Sequence, residues 1–363
     1  MNVLHVHKLT GVSGSEGHLL ALLPALREHG IDARFLGLDV PGTDAPRFYE
    51  RLDELGVPYH RVRCGLDVSP RMGRDVVRAV RAERPDLLHT HLVHADVYGA
   101  IAARLTRTPY VSTRHNDDRY LLGPFRYVDR AFASGARRLI AISDAVRLFL
   151  EAAGHDAAKL TTIHYGLDSV PAAPSDPTPE EAGIPPDVPL AVAVGRLIEQ
   201  KDHPTLLRAF ALVRDAHPGA RLAILGSGPR EPATRRLVEE LGLAETVVLP
   251  GRTEIRDWLA RADVFVHTSR WEGFGIVLLE AMLAGLPVVA TRVSAVPEVV
   301  VDGETGALAE AGDVEGVARE LGALLGDPEL AQRLGEAGRA RARTQFSVER
   351  MTTRTIDVYR DVL

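Results

Sequence analysis

The stretch EGFGIVLLEAMLAGLPVVAT (272–291) decides how the rest of the chain is read. An apolar run, Asp263 to His267, ends just before it and predicts a buried strand. Gly273 and Gly275 form a loop whose backbone can approach a ligand closely. Ile276 to Leu283 has the composition of a helix, and Gly285-Leu-Pro287 stops it. One carboxylate, Glu272, therefore lies in the loop, and the other, Glu280, in the helix about a turn and a half later. Both are expected near the C-terminal end of a strand, where open α/β sheets bind ligands. Loop amides and a helix N-terminus favour an anion there. Two acids beside an anion site point to hydroxyl recognition, because carboxylates accept hydrogen bonds from a sugar or a ribose.

Outward from that stretch, short apolar runs alternate with helix-length segments. In the first half the strand candidates are VLHVHKL (3–9), ARFLGL (33–38), DLLHTH (86–91), YVSTRH (110–115), LIAIS (139–143) and LTTIHYG (160–166). Helical segments 15–29, 71–84 and 96–106 lie between them. After PAAPSDPTPEEAGIPPDVP (171–189), dense in proline and expected as an interdomain connection, the alternation resumes. LAVAVGRL (190–197), ARLAILGSG (220–228), TVVLPGR (246–252), DVFVHTS (263–269) and LPVVATR (286–292) are its strands. From Asp313 to Leu363 the composition is helical throughout. The pattern predicts an α/β protein of two doubly wound Rossmann-like domains, each a parallel sheet between helices, facing across a cleft.

Composition narrows the class. The 363 residues are 45% hydrophobic and 25% charged, as in a globular protein of about two domains. A net charge of -6 gives no reason to expect nucleic acid. Cys64 is the only cysteine, so no intrachain disulfide forms and a reducing compartment is expected. The first residues already read as a strand rather than a secretory signal. No run reaches the roughly 18 apolar residues of a membrane span. A cytoplasmic protein is expected.

The second domain opens on VAVGRLIEQKDHPTLLRAF. Gly195 ends a strand, Arg196 follows at once, and Lys201 precedes a helix beginning near His203. Arginine offers a planar fork and lysine a point charge, which together suit a diphosphate. An isolated Arg or Lys is ordinarily a solvated surface charge; placement at a strand end favours the phosphate reading.

This order of motifs, a G-R-L…K loop and then E-G-F-G…E-A-M-L-A-G-L-P-V-V-A, resembles glycosyltransferase family 4. The resemblance covers nearly the whole chain and includes DLLHTHLVHA, YVSTRH, RLIAISDAV, IHYGLD and VDGETGALAE. The Glu-x7-Glu block is its most specific element. It implies a GT-B fold, with an acceptor-binding domain over 1–170, a linker over 171–189 and a nucleotide-sugar domain over 190–345. A terminal helix, 346–363, would pack back on the first domain. It implies a retaining hexosyltransferase that moves a sugar from a nucleotide-diphosphate sugar to an acceptor hydroxyl on a cell-surface saccharide, glycolipid or small molecule. No cofactor beyond the donor substrate and no metal are expected. Arg196 and Lys201 match the pair that holds the donor diphosphate. Glu272 matches the acid near the donor sugar, and His115 a histidine that approaches that sugar; these four form the expected catalytic set. Glu280 matches the acid on the ribose. Gly14, Gly195, Gly226, Gly228, Arg252, Gly273, Phe274 and Gly275 match donor-binding positions, and Glu16 one that can face the acceptor. The chain departs from the family's pattern at Ser13, where a second glycine is common, and at Tyr165, where asparagine is common.

Other readings compete. Gly11, Gly14 and Gly17, with Asp39 downstream, imitate a dinucleotide fingerprint. The spacing is G-x-x-G-x-x-G, however, and that oxidoreductase reading leaves both charged clusters without a role. A sugar-nucleotide epimerase, a phosphorylase and a silent nucleotide-sugar binder share the GT-B expectation. His89, His91 and His94 form H-x-H-x-x-H, which could ligate a metal; strand-end histidines lining a cleft are the preferred reading, as for His5 and His7. Arg71, Arg74, Arg78 and Arg81 fall on one helical face. A solvated face is the plain reading; the sharper one is peripheral contact with an anionic membrane at the inner face.

Overall fold

The computed structural model describes residues 1–9, 14–43, 45–64, 69–117, 122–170 and 173–363. Gly11 and Ser13 of the first loop lie outside the described residues. The chain divides into two compact units: Met1–Gly166 with Ser347–Leu363, and Leu167–Phe346.

The first unit holds β1 (Asn2–Leu9), β2 (Asp32–Asp39), β3 (Tyr59–Arg63), β4 (Leu87–His91), β5 (Tyr110–Arg114), β6 (Leu139–Ala141) and β7 (Leu160–Thr162). They form one sheet in the order β3-β2-β1-β4-β5-β6-β7. Every pairing is parallel, as helical crossovers between successive strands require. The alternation of β1 sorts its side chains between two cores. Leu4 and Val6 pack with Leu36, Val76, Val80 and Tyr98. Val3 and Leu9 pack on the other face with Leu19, Leu22, Phe35 and Tyr359. His5 and His7 share that second face by period two. The register pairs His5 with His89 and His7 with His91, so four histidines line up across two adjacent strands. Tyr359 comes from the helix Val348–Val362, which packs on the helix Gly14–Glu28.

The second unit holds β8 (Leu190–Val194), β9 (Arg221–Leu225), β10 (Val247–Gly251), β11 (Val264–His267), β12 (Val288–Thr291) and β13 (Ala307–Ala309). The order is β10-β9-β8-β11-β12-β13, again all parallel. Between β8 and β11 the strand order reverses, which opens the crevice where doubly wound sheets bind ligands. The loop with Gly195, Arg196 and Lys201 follows β8, and the stretch that opens at Glu272 follows β11.

Two strands lie where the sequence showed no apolar run, β3 and β13. The proline-dense segment is also more than a connection. Ser175 donates from its amide to Asp257 (2.7 Å) and from its hydroxyl to the Glu254 carbonyl (2.6 Å). The Trp258 indole donates to the Pro177 carbonyl at 3.1 Å, and Ile184 is buried. Residues 173–189 are therefore part of the second unit, because buried polar groups find partners there.

Candidate functional site

The loop after β8 is held by backbone crossings. The Gly195 amide donates to the Leu225 carbonyl (2.9 Å), Leu197 to Ser227 (2.9 Å), and Gly226 to Gly251 (2.7 Å). A Cβ on Gly226 would sit 2.1 Å from the Gly195 carbonyl oxygen, and one on Gly228 would sit 2.6 Å from that of Leu197. Space over these two glycines is thus filled by protein backbone. Loop crossing by itself requires glycine at both positions. Beside them Gly228, Pro229, Glu231, Pro232 and Arg235 line an open hollow. Arg252 is exposed just after Gly251, whose φ of 87° only glycine adopts without strain.

Arg196 is exposed, and its side chain has no hydrogen bond or ion pair among the described residues. Lys201 lies back over Gly195: a Cβ there would meet its Cδ and Cε at 3.2 Å. Its Nζ reaches Glu272 Oε2 at 2.5 Å. That same oxygen is 3.1 Å from His267 Nε2 and accepts from Ser269 Oγ at 3.2 Å. Burial alone would raise the Glu272 carboxyl. The Lys201 ammonium and the His267 ring outweigh it and hold the group well below the usual carboxylate range. His267 is itself lowered, first by burial and then by Lys201. The same two causes, with His267, lower His203 to about 4. Lys201 and Glu272, given separate roles by the resemblance, are one ion pair.

The two loops are clasped by further bonds. Arg270 donates its amide to the Gln200 carbonyl (2.7 Å), and Gln200 Nε2 to the Trp271 carbonyl (2.9 Å). Thr268 Oγ1 donates to the Lys201 carbonyl at 3.1 Å. Asp202 adopts φ 45°, the left-handed region that aspartate tolerates better than most residues. Its carboxylate is held by Arg270 Nη2 (3.2 Å) and Thr205 Oγ1 (2.9 Å). Gly275, at φ 83°, caps the helix Ile276–Ala284. Gly273 lies in the same loop; the Phe274 side chain is buried against Phe346, leaving only its backbone to face a ligand. Glu280 stands on the helix with no side-chain partner among the described residues. Burial raises its carboxyl to about 8.

In the first unit, Gly14 opens the helix Gly14–Glu28. Glu16 is buried, 3.6 Å from His7 Nε2, and accepts from Ser15 Oγ at 2.9 Å. His115 follows β5. Its Nε2 meets His91 Nδ1 at 3.0 Å, and its Nδ1 is hydrogen-bonded to the Tyr165 hydroxyl. The Tyr165 ring stacks on His18 at 4.4 Å. The departure at Tyr165 thus bears directly on a candidate site residue. His89 and His91 are both buried, and His89 is hydrogen-bonded to Tyr359 of the helix Val348–Val362. The histidine grouped with them is His5, not His94, with ligand nitrogens of the three within 4.8 Å of one another.

Sequence reasoning passed over His267, Ser269 and Asp202. His267 and Ser269 sit two apart at the end of the β11 run, so period two puts both on the face of Glu272. That spacing was the available signal.

Residues 12–170 match the family model described as Glycosyltransferase Family 4, and residues 175–341 that of Glycosyl transferases group 1. The D-inositol 3-phosphate glycosyltransferase of Streptomyces avermitilis is 30% identical over 78% of this chain and 68% of its own length. The alpha-maltose-1-phosphate synthase of Mycobacterium tuberculosis is 29% identical over 96% of this chain and 95% of its own. Among solved structures, Anabaena HepE in complex with UDP and glucose superposes with a TM-score of 0.85 at 23% identity, covering 99% of this chain and all of that one. Sucrose-phosphate synthase from Thermosynechococcus elongatus gives 0.80 at 22%, covering 99% of each chain. These likenesses show two parallel-sheet Rossmann-like domains of the GT-B fold. With its two charged loops at the switch point of the second sheet, the chain belongs to glycosyltransferase family 4 and is a glycosyltransferase.

Proposed function

We propose that the protein is a retaining glycosyltransferase that uses a nucleotide-diphosphate sugar and transfers its sugar to an acceptor hydroxyl. One observation carries this reading: exposed Arg196 and the Lys201–Glu272 pair lie in the switch-point loops, and the helix that follows carries Glu280, a carboxyl with no side-chain partner among the described residues. Arg196 has its donors free for a diphosphate, and Lys201 can share its ammonium between Glu272 and phosphate. Glu280 takes the ribose hydroxyls, and the hollow beside Gly228 takes the base side of the nucleotide. Glu272 reads the sugar. It is not assigned as a nucleophile, since its place in the loop beside the diphosphate pair suits hydroxyl recognition better.

Front-face substitution fits this arrangement. The bond from the sugar to the diphosphate breaks as the acceptor oxygen attacks the same face. The leaving phosphate oxygen takes the acceptor proton, and Arg196 and Lys201 stabilise the charge that grows there. A saccharide, lipid-linked or small-molecule hydroxyl fits as acceptor. Relatives named for inositol phosphate and for maltose 1-phosphate favour a polar, hydroxyl-rich one.

A thermal-shift screen of nucleotide sugars, followed by turnover of the stabilising donor, tests the reading. Arg196→Ala and Lys201→Ala should each reduce turnover by about 10²–10³. Near-normal rates in both variants would remove the diphosphate assignment.

A further inference from the structure

The covered face of the first sheet holds a continuous line of hydrogen-bonded side chains. Thr113 Oγ1 is 2.7 Å from His89 Nε2, and His89 Nδ1 is 2.6 Å from the Tyr359 hydroxyl. Tyr359 is 3.3 Å from His5 Nε2, His5 Nδ1 is 3.0 Å from His91 Nε2, and His91 Nδ1 is 3.0 Å from His115 Nε2. His115 Nδ1 closes the line on Tyr165. Every ring nitrogen of four histidines is thereby occupied.

A neutral imidazole has one N–H donor and one bare acceptor. In a line where each nitrogen faces its neighbour, choosing the proton position on one ring fixes it on all the others. Two directions exist, and the ends choose between them. Thr113 is buried, and His89 is the one hydrogen-bond partner of its hydroxyl among the described residues. If His89 Nε2 carried the proton, that hydroxyl would be a buried donor without an acceptor, which is costly. Tyr165, which has a further contact of its own, is not so restricted. Thr113 therefore donates, and the direction runs His89 to Tyr359 to His5 to His91 to His115 to Tyr165.

We propose that this line is a single polarised hydrogen-bond chain that holds His5, His89, His91 and His115 in the Nδ1–H form, and that Tyr359 is a positioning residue for His115. The Nδ1–H form is the less populated one for histidine in water, so the chain imposes it against intrinsic preference. Tyr359 touches His5 and His89 but acts on His115 through two intervening rings. The charged and titratable groups facing the line are His7, His18 and Glu16. Burial keeps the four rings neutral: His5 is held to about 3, and the other three well below the ordinary histidine value. His5, His89 and His91 could instead converge on a metal ion, but each of their nitrogens already has a partner, and ligation would break the line.

The effect on catalysis rests on the reading of His115 as a residue that meets the donor sugar; the chain itself does not. ¹⁵N spectra of the histidine-labelled full chain at neutral pH should show all four rings in the Nδ1–H form. Tyr359→Phe keeps the ring and removes the hydroxyl. It should move the His115 nitrogen signals towards mixed tautomers and lower kcat about tenfold with donor KM unchanged. Tyr49→Phe, which removes another buried hydroxyl of the same unit, should leave those signals and kcat in place. Mixed tautomers or a cationic ring in the wild-type chain overturn the proposal, and that measurement needs no variant. So does an unmoved His115 signal, or an unchanged kcat, in a folded Tyr359→Phe protein. Stoichiometric metal in the purified chain overturns it as well. Failure of the wild-type chain to turn over any nucleotide sugar would remove the glycosyl-transfer reading and leave the spectra to decide the chain.

Discussion

Glu280 is half-buried with no side-chain partner among the described residues to offset its charge, and this costs stability. Its folded value, about 8, lies above the ordinary value of 4.5. A raised carboxyl contributes stability that is complete below about 4.5 and is lost as pH rises through about 8. At pH 7 the unfolded chain releases this proton while the folded chain keeps it, which favours unfolding. Glu280→Gln should therefore raise the melting temperature of the ligand-free protein at pH 7, and by less at pH 4.5. The same change should weaken nucleotide binding by about tenfold or more, since an amide accepts one side of the ribose pair less well. A variant that melts lower and binds a nucleoside diphosphate as before would contradict the assignment. Glu280 and Glu272 were legible as a pair because they share one continuous motif. The Lys201–Glu272 ion pair was not, since its partners lie 71 positions apart. Only the adjacency of β8 and β11, a property of strand order, brings them together.

At the scale of single elements, legibility followed apolar content. Strands β1, β2, β4 and β5 are runs buried on both faces, and each lies within a residue or two of its expected place. β3, YHRVR, has one buried apolar side chain, Val62, and lies at the sheet edge, so no run marks it. β13 is three residues long, too short for a period to register. The helix Pro70–Glu83 was plain from its pattern. Ser69 caps it, accepting from the Met72 amide at 3.4 Å, and Met72, Val76, Val77 and Val80 face inward. Arg71, Arg74, Arg78 and Arg81 are all exposed, with Arg78 only 3.8 Å from Asp75. Four exposed cations on one face, Arg78 among them despite its contact with Asp75, would contribute about 1 kcal/mol each at an anionic bilayer. If that face docks, co-sedimentation with phosphatidylserine vesicles should fall on Arg74→Glu/Arg78→Glu and on raising salt. Equal sedimentation would leave it as a solvated surface.

For the molecule as a whole, the two units should respond differently to acid. His5 and His18 are lowered to about 3, chiefly by burial, and His89 and His91 lie well below the ordinary 6.5. Between about 6.5 and about 3 the unfolded first unit binds protons that the folded one refuses. Stability is complete above that window and falls on acidification, by about 1.4 kcal/mol per pH unit for each fully titrating group. Both tryptophans, Trp258 and Trp271, lie in the second unit, so fluorescence follows that unit while far-UV circular dichroism follows both. From pH 7 to 5 the fluorescence-silent part of the thermal transition should move down the further of the two. Coincident transitions at every pH would show that the buried histidines do not govern the first unit. The two-sheet plan was readable from alternation alone. The histidine face was not, because period two gives a shared side but not what covers it.

That cover arrives late. The helix Val348–Val362 belongs to the first unit although the whole of Leu167–Phe346 precedes it in the chain. On the ribosome the second unit, continuous in sequence, can therefore complete its sheet first. The first unit waits with an open polar seam until Tyr359 emerges, so the order of folding inverts the order of synthesis.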